Sequence, residues 1–415
     1  MNRKVLVVVV FPEESSILES DIAGRPAGAY LLESLNEWDE ADVKVAVDDN
    51  SRYRVLFEKF PHISECRLTE LYSATPVNGG LLIIDARAWF SPAALAALFS
   101  RVRSATNNLR IVEPNENNLT AHREVTTLAV YLMPDKRRQD LFGREHTSNE
   151  RGLEQILKFQ AIANASTVTC SNLPASDAPL LVVSFVDLAE LERRILLGRA
   201  IAAMIKGVRI HDPNRVYIRG DLVCGLDVAI EINVIIEGQI ILGDGVKIGA
   251  NSILKNCQIG DNTSINPFSL VEQSSIGSGS FVGPYGRIRP GSVIGDNVQI
   301  GNYVEIKNSQ IGNGSRINHH TFIGDALIAN QVTIGAGTIT CNHDGIGTHQ
   351  TVIERGAYIG SGCNLVAPLR IGEDAVVGAG STITRDVPAA KLTLARQPQT
   401  TIENWQGPKT TRAKK

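Results

Sequence analysis

No apolar stretch in this 415-residue chain reaches transmembrane length, so the sequence offers no helical membrane span. Aromatic residues make up only 5% and the net charge is −3, which excludes a large basic surface of the kind that binds nucleic acid. Cysteine is sparse: Cys66, Cys170, Cys224, Cys257, Cys341 and Cys363 are scattered without C-x-x-C spacing. That pattern gives no metal site and reads as free thiols of a reducing compartment. The apolar run Val5 to Phe11 follows Met1-Asn-Arg-Lys, but it is short, and Pro12-Glu13-Glu14 stands where a cleavage site would be. A buried first strand and a cytoplasmic location are therefore expected.

What the chain does have is a period of six. From Ile218 an aliphatic residue returns at nearly every sixth position, through Ile230, Ile236, Leu242, Ile248 and Leu254 to Ile334. The column stops there, and resumes at Ile353, Ile359, Leu365, Ile371, Val377 and Ile383. Six is three strand periods, so every column residue faces the same side. Three hexapeptides make one triangular coil, and stacked coils bury the column on the axis. Glycine often follows the column residue, as at Gly243, Gly249 and Gly301, where the chain must bend. Asp244, Asn251, Asp261, Asn297 and Asn313 are expected to cap corners by local bonds. The gap before Ile353 predicts a loop, His343 to His349, reaching outward.

Residues 1–185 read differently. Apolar runs at 5–11, 43–47, 81–84, 127–133 and 180–185 suggest buried strands. Helical patterns lie near 26–38, 92–103 and 150–162, and the polar stretch Asn107 to His122 reads as loop. This alternation predicts a parallel, doubly wound α/β domain. A linker helix over 186–207, a prism over 208–390 and a polar tail over 391–415 complete the organisation.

Several strings are more specific than a generic hexapeptide repeat. They are Asn233-Val234-Ile235-Ile236-Glu237-Gly238, Gly283-Pro284-Tyr285-Gly286-Arg287-Ile288-Arg289-Pro290-Gly291, Gly301 to Lys307, His319 to Asp325, and Gly335 to Asn342. With the stretch Leu191 to Val228, they resemble the bacterial bifunctional enzymes joining N-acetylglucosamine-1-phosphate uridylyltransferase to glucosamine-1-phosphate N-acetyltransferase. The resemblance covers about 186–407 closely. It implies a left-handed parallel β-helix, an acetyl-CoA-dependent N-acetyltransferase and a homotrimer in which His319 faces the next subunit. No nucleic acid or membrane partner is implied.

Acetyl transfer to an amine needs a base, a grip on the acceptor and donors for the thioester oxyanion. The resemblance makes His319 the base, with Glu305 to orient it; an imidazole suits a sugar amine. It places the acceptor phosphate on Arg289 and Lys307, a guanidinium and an ammonium that suit a dianion. Asn342 would lie beside the acceptor and the acetyl group, as an acceptor-binding residue. Ala336, Ser361, Ala379 and Arg396 would line acetyl-CoA. His320, alternating along a strand, would point away.

Departures cluster in the implied acceptor pocket: Phe322, Thr333, His343 and Thr348 replace Tyr, Asn, Tyr and Lys of the family. The expected acceptor is thus an amino-sugar phosphate that need not be glucosamine-1-phosphate. In the front domain, Pro12-Glu13-Glu14-Ser15-Ser16 stands where the family has a Gly-rich triphosphate loop. Asp85 is the candidate metal ligand, and Ser184 replaces the Asn expected as the second. The domain reads as a degenerate nucleotidyltransferase-like fold that has lost UTP chemistry, with Mg²⁺ needed only if it is active. Two alternatives stay open: a fully bifunctional enzyme with a divergent uridylyltransferase site, and a non-catalytic scaffold that senses a sugar nucleotide.

Overall fold

The computed structural model describes residues 178–405 without interruption. Before them it describes 5–10, 18, 20–23, 25–36, 41–47, 60, 63–67, 81–105, 109–112, 127–132 and 166–169. The chain divides into two compact units, Met1–Arg199 and Ala200–Lys415. The boundary falls inside the long helix, not at its start.

The first unit is built on strands β1 (Val5–Val10), β2 (Ala41–Val47), β3 (Ser64–Arg67), β4 (Leu81–Asp85), β5 (Leu109–Val112), β6 (Thr127–Leu132) and β7 (Ser166–Thr169). They form one seven-stranded sheet in the order β7-β5-β6-β4-β1-β2-β3. The sheet is mixed, not all parallel: β6 runs antiparallel to both β4 and β5. The expectation failed because β5, four residues inside the polar stretch assigned to loop, was not visible as a strand. Unseen with it were β3 and β7, the two edge strands, which are short and half polar because one flank of each ladder is open. The run at 180–185 is a strand only over Leu180–Leu181, paired with Ala88–Trp89 outside the main sheet. The helical pattern at 150–162 and the segment Pro12 to Ser16 lie outside the described residues.

Helices α1 (Ala27–Asn36) and α2 (Pro92–Arg103) cover the sheet through Leu31, Leu32, Leu35, Leu95, Leu98 and Val102, buried against Val7, Val9, Leu82 and Ile84. Ser91 caps α2 by accepting the Ala94 N–H at 3.1 Å, and Pro92 fits the first turn. Helix α3 runs Phe185–Ile205. Its N-terminus is a capping box: Ser184 Oγ accepts the Asp187 N–H at 3.3 Å, and Asp187 Oδ2 accepts the Ser184 N–H at 2.9 Å. Glu190 is held between Arg193 and Arg194, whose guanidinium groups pull its carboxyl down to about 2 against the opposing effect of burial.

The second unit is a parallel β-helix. One ladder of eleven short strands runs from Arg209–Ile210 to Leu392–Thr393. The other two faces begin as a single sheet, because Val216–Cys224, Val234–Leu242 and Ile253–Ile259 continue across a corner. Gly220 makes this possible, since a Cβ there would lie 2.1 Å from Gly238 O. Later coils break into separate ladders, one through Arg287, Glu305, Phe322 and Ile339, the other through Val293, Gln310 and Leu327.

The period-six column is the core. Every aliphatic member from Ile218 to Ile383 is at most 3% exposed, and Cys224 packs against them partly buried. The column also runs one step further than its aliphatic members indicate. Thr340 is fully buried six residues after Ile334, with its Oγ1 accepting the Gly324 N–H at 2.7 Å. The corner caps are not local. Asp244 Oδ1 accepts the Leu226 N–H at 2.7 Å, Asp261 Oδ1 the Asp244 N–H at 2.9 Å, and Asn313 Oδ1 the Asp296 N–H at 2.9 Å. Each bond reaches back one whole coil, so the polar corners weld neighbouring coils together. One corner is aromatic: Phe268, Tyr285, Tyr303 and His320 stack in series, with ring centroids 5.0, 5.0 and 4.9 Å apart. All four have positive φ, a conformation that stacking against the neighbouring coil offsets.

Candidate active site

The strand Glu305–Lys307 shows how the repeat builds a site. Ile306 points to the axis, which sends Glu305 and Lys307 outward on the same face. Arg289 follows the neighbouring strand Arg287–Ile288 and joins them, its N–H bonded to Ile306 O at 2.8 Å. Its guanidinium donates to Glu305 Oε1 at 2.8 Å. Glu305 therefore does not orient His319, as the resemblance implied; its carboxylate is taken by Arg289. The ring nitrogen Nδ1 of His319 instead meets Asn302 Oδ1 on the preceding coil.

His319 and His320 sit at a turn with φ of 69° and 50°, not on a strand, so strand alternation does not govern them. The coil turns between them. His320 stacks on Tyr303, while His319 lies in a different row. That row is traced by backbone bonds from each coil to the one before. His320 N–H donates to Asn302 O, Gly337 N–H to His319 O, Gly362 N–H to Ala336 O and Gly380 N–H to Ser361 O. Asn302, His319, Ala336, Ser361 and Ala379 thus occupy one corner on successive coils. Strand spacing in a sheet puts His319 and Ala379 about 14 Å apart along it. Arg396 ends the row, its guanidinium donating to Ala379 O at 2.9 Å.

On the face beside this corner, Phe322 continues the ladder of Arg287 and Glu305, and its ring lies against Gly324 together with Asn342 Nδ2. Asn342 Nδ2 donates to Asp325 Oδ2 at 2.5 Å, and Asn308 Nδ2 donates to Asp325 Oδ1 at 2.6 Å. Asp325 thereby fixes the Asn342 amide. Thr333 is not brought to this group: it belongs to the first ladder, between Arg316 and Tyr358, on another face of the prism. His343 starts a hairpin closed by its bridge to Thr348. Its Nδ1 accepts the Gly345 N–H at 3.0 Å, and Ile346 at the tip is 96% exposed. Asn302, Asp325 and Thr340 carried no assigned role in the sequence. The available signal was spacing: Asn302–His319 and Asn308–Asp325–Asn342 are each 17 residues apart, one coil.

Within the hairpin, the Gly347 N–H, then the His349 ring and the Ile346 N–H, hold the Asp344 carboxyl well below the usual carboxylate range. A depressed carboxylate keeps its stabilising bonds above its ordinary titration and loses them only as pH falls through the lowered value. The Ile346 and Gly347 amides are therefore expected to stay hydrogen-bonded at pH 4. Amide exchange by NMR checks this; loss of those bonds between pH 5 and 4 contradicts it.

The described cysteines Cys224, Cys257, Cys341 and Cys363 are free thiols. Burial pushes Cys224 up to about 11 and Cys257 up to about 12, so neither acts as a thiolate nucleophile near neutrality. Among the described residues no cluster of three His, Cys, Asp or Glu side chains could hold a metal. Asp85, the one candidate ligand, is buried, and Arg87 takes both its oxygens: Nε donates to Oδ1 at 3.1 Å and the terminal nitrogen to Oδ2 at 2.7 Å. Ser184, the other position, is spent on the α3 capping box. This pair does not fit a Mg²⁺ ion.

Residues 291–325 and 350–385 match the bacterial transferase hexapeptide (six repeats) family, and 218–298 match the GMPPB C-terminal domain. The bifunctional protein GlmU of Methylococcus capsulatus is 42% identical over 376 residues, covering 88% of this chain and 79% of that protein. Its counterpart in Ralstonia nicotianae is 43% identical over 314 residues, covering 74% and 68%. Among solved structures, an Arabidopsis UDP-N-acetylglucosamine acyltransferase aligns with a TM-score of 0.29 and 19% identity, over 45% of this chain and 69% of its own. On the strength of the two sequence matches, which span both units, the chain belongs to the bifunctional GlmU family.

Proposed function

We propose that this chain transfers the acetyl group of acetyl-CoA to the amine of an amino-sugar phosphate. One observation carries the reading. His319 heads a single corner row with Ala336, Ser361, Ala379 and Arg396, and Arg289 and Lys307 project from the adjoining face. An extended thioester donor along that row brings its carbonyl to the imidazole end, while the cations hold a phosphate. The amine nitrogen attacks the thioester carbon, the imidazole takes the amine proton, and as the C–S bond breaks the imidazolium passes that proton to the departing sulfur, releasing the thiol. Arg396 meets the nucleotide end of the donor after leaving Ala379 O.

The prism axis is filled by the column, so substrates bind outside it, in a groove completed by a second copy. Thr333 supports this: it belongs to the implied acceptor pocket, yet it lies on another face and can join only from a neighbour. The same face carries the exposed side chains Tyr358, Val376 and Leu392, apolar surface suited to a homotrimer. The free thiols and the absence, among the described residues, of a helix long and apolar enough to cross a membrane agree with a cytoplasmic enzyme.

The acceptor is the finer question, because Phe322, Thr333, His343 and Thr348 replace residues of the implied pocket. Thiol release from acetyl-CoA with a panel of amino-sugar phosphates is expected for at least one member, and to need the phosphate. No release with any of them ends the reading. Full bifunctionality is the second reading, favoured by the seven-stranded mixed sheet of the first unit and by matches extending across it. The Arg87–Asp85 pair weighs against it, and pyrophosphate release from UTP in the presence of Mg²⁺ decides.

A further inference from the structure

We infer that Asn302 is the positioning residue of the catalytic imidazole, fixing its tautomer without adding a charge. The inference rests on the acetyltransferase reading and names a part of that site not assigned above. Asn302 Oδ1 faces His319 Nδ1 from the preceding coil. The two backbones are held in register by the His320 N–H, which donates to Asn302 O at 3.1 Å, and the Gly337 N–H of the following coil donates to His319 O at 3.2 Å. Thr321 Oγ1 also donates to His319 O, at 2.9 Å, so the turn carrying the ring is held on three sides.

An amide oxygen can only accept, so the hydrogen of the neutral ring must sit on Nδ1. Nε2 is left with the lone pair, which is the atom that takes the amine proton. A carboxylate could also orient the ring, but it would favour the imidazolium and remove free base near neutrality. The one carboxylate on the adjoining strand, Glu305, is occupied by Arg289 at 2.8 Å. Other charged or titratable groups on this coil and its two neighbours include Lys307, Arg316, Tyr303 and His320, which stack on each other, Asp325, which is bound by Asn308 and Asn342, and His343, Asp344, His349, Glu354 and Arg355 on the following coil. The His319 ring is bonded to Asn302 and to none of these. The structure thus supplies an orienter that is polar and neutral.

The test is the kcat/KM pH profile of Asn302→Ala and Asn302→Asp, with His319→Ala measured beside them. Asn302→Ala is expected to lower kcat about 10–100-fold, with KM for acetyl-CoA unchanged. Asn302→Asp is expected to recover most of kcat, and to move the acid limb of the profile up by about one pH unit, because the base must then lose its proton at higher pH. Urea midpoints of each variant separate loss of fold from loss of positioning. Wild-type kcat in Asn302→Ala overturns the inference, as does an Asn302→Asp profile that overlays the wild type while His319→Ala is inactive. Full activity in His319→Ala overturns the acetyltransferase reading itself and the inference with it.

Discussion

Replacing His319 with Ala is expected to lower the rate of acetyl transfer by about two to four orders of magnitude, the usual contribution of one general base. KM for acetyl-CoA should barely move if the proposed donor row beyond it, Ala336, Ser361, Ala379 and Arg396, holds the donor. The fold should be intact, since His319 is exposed at a corner and its backbone bonds do not depend on the ring. His320→Ala is the paired control. It removes one stacking partner of Tyr303 and should change the rate by less than about threefold, as stacking is worth about 0.5–1.5 kcal/mol to stability. A steady-state thiol-release assay reads both variants. Equal losses in the two would mean that the corner matters only as structure.

The second large effect concerns stability. Ile306→Ala is expected to cost about 2–5 kcal/mol, and Ile306→Val about 0.5–1.5 kcal/mol, read from urea midpoints. Ile306 is fully buried, in register with Ile288 on one coil and Ile323 on the next. The coils hold those partners at fixed spacing, so the cavity cannot collapse. Repeat proteins sum local stabilities, and the damage should concentrate on the coils either side. Those coils carry Arg289, Glu305, Lys307 and Phe322, so activity should fall at temperatures where the rest of the prism is folded. A shift of under about 0.5 kcal/mol for the Ala variant would mean that the axis is looser than its burial implies.

The prism was legible because its constraint is one-dimensional. An axis with room for one aliphatic side chain per strand imprints a period of six, and Ile218 to Ile383 obey it. Thr340 escaped because its hydroxyl is satisfied by Gly324, which an aliphatic pattern cannot register. The candidate donor row was legible through resemblance, and its geometry follows from coil length. The partners of His319 and Asn342 were not, because Asn302 and Asp325 act across coils and look like ordinary corner residues along the chain. The first unit was harder to read. Its sheet is held by pairings between distant segments, and edge strands such as Ser64–Arg67 and Ser166–Thr169 carry no apolar run to announce them.

Corner side chains that bond the backbone one coil back also restrict how such a chain can change length. Coils of 18 and 17 residues coexist, as in Leu226–Asp244 and Asp244–Asp261, so a one-residue change is absorbed only where the next Asp or Asn still meets its donor amide and the next column residue still faces the axis. Gain or loss of a whole coil would leave each neighbour a matching surface. The His343–Thr348 hairpin is the other permitted route: 25 residues separate Thr333 from Tyr358, where 17 separate Arg316 from Thr333, and the ladder continues undisturbed. Novelty in such a molecule enters as an outgrowth at a vertex, and the scaffold beneath it is copied coil by coil.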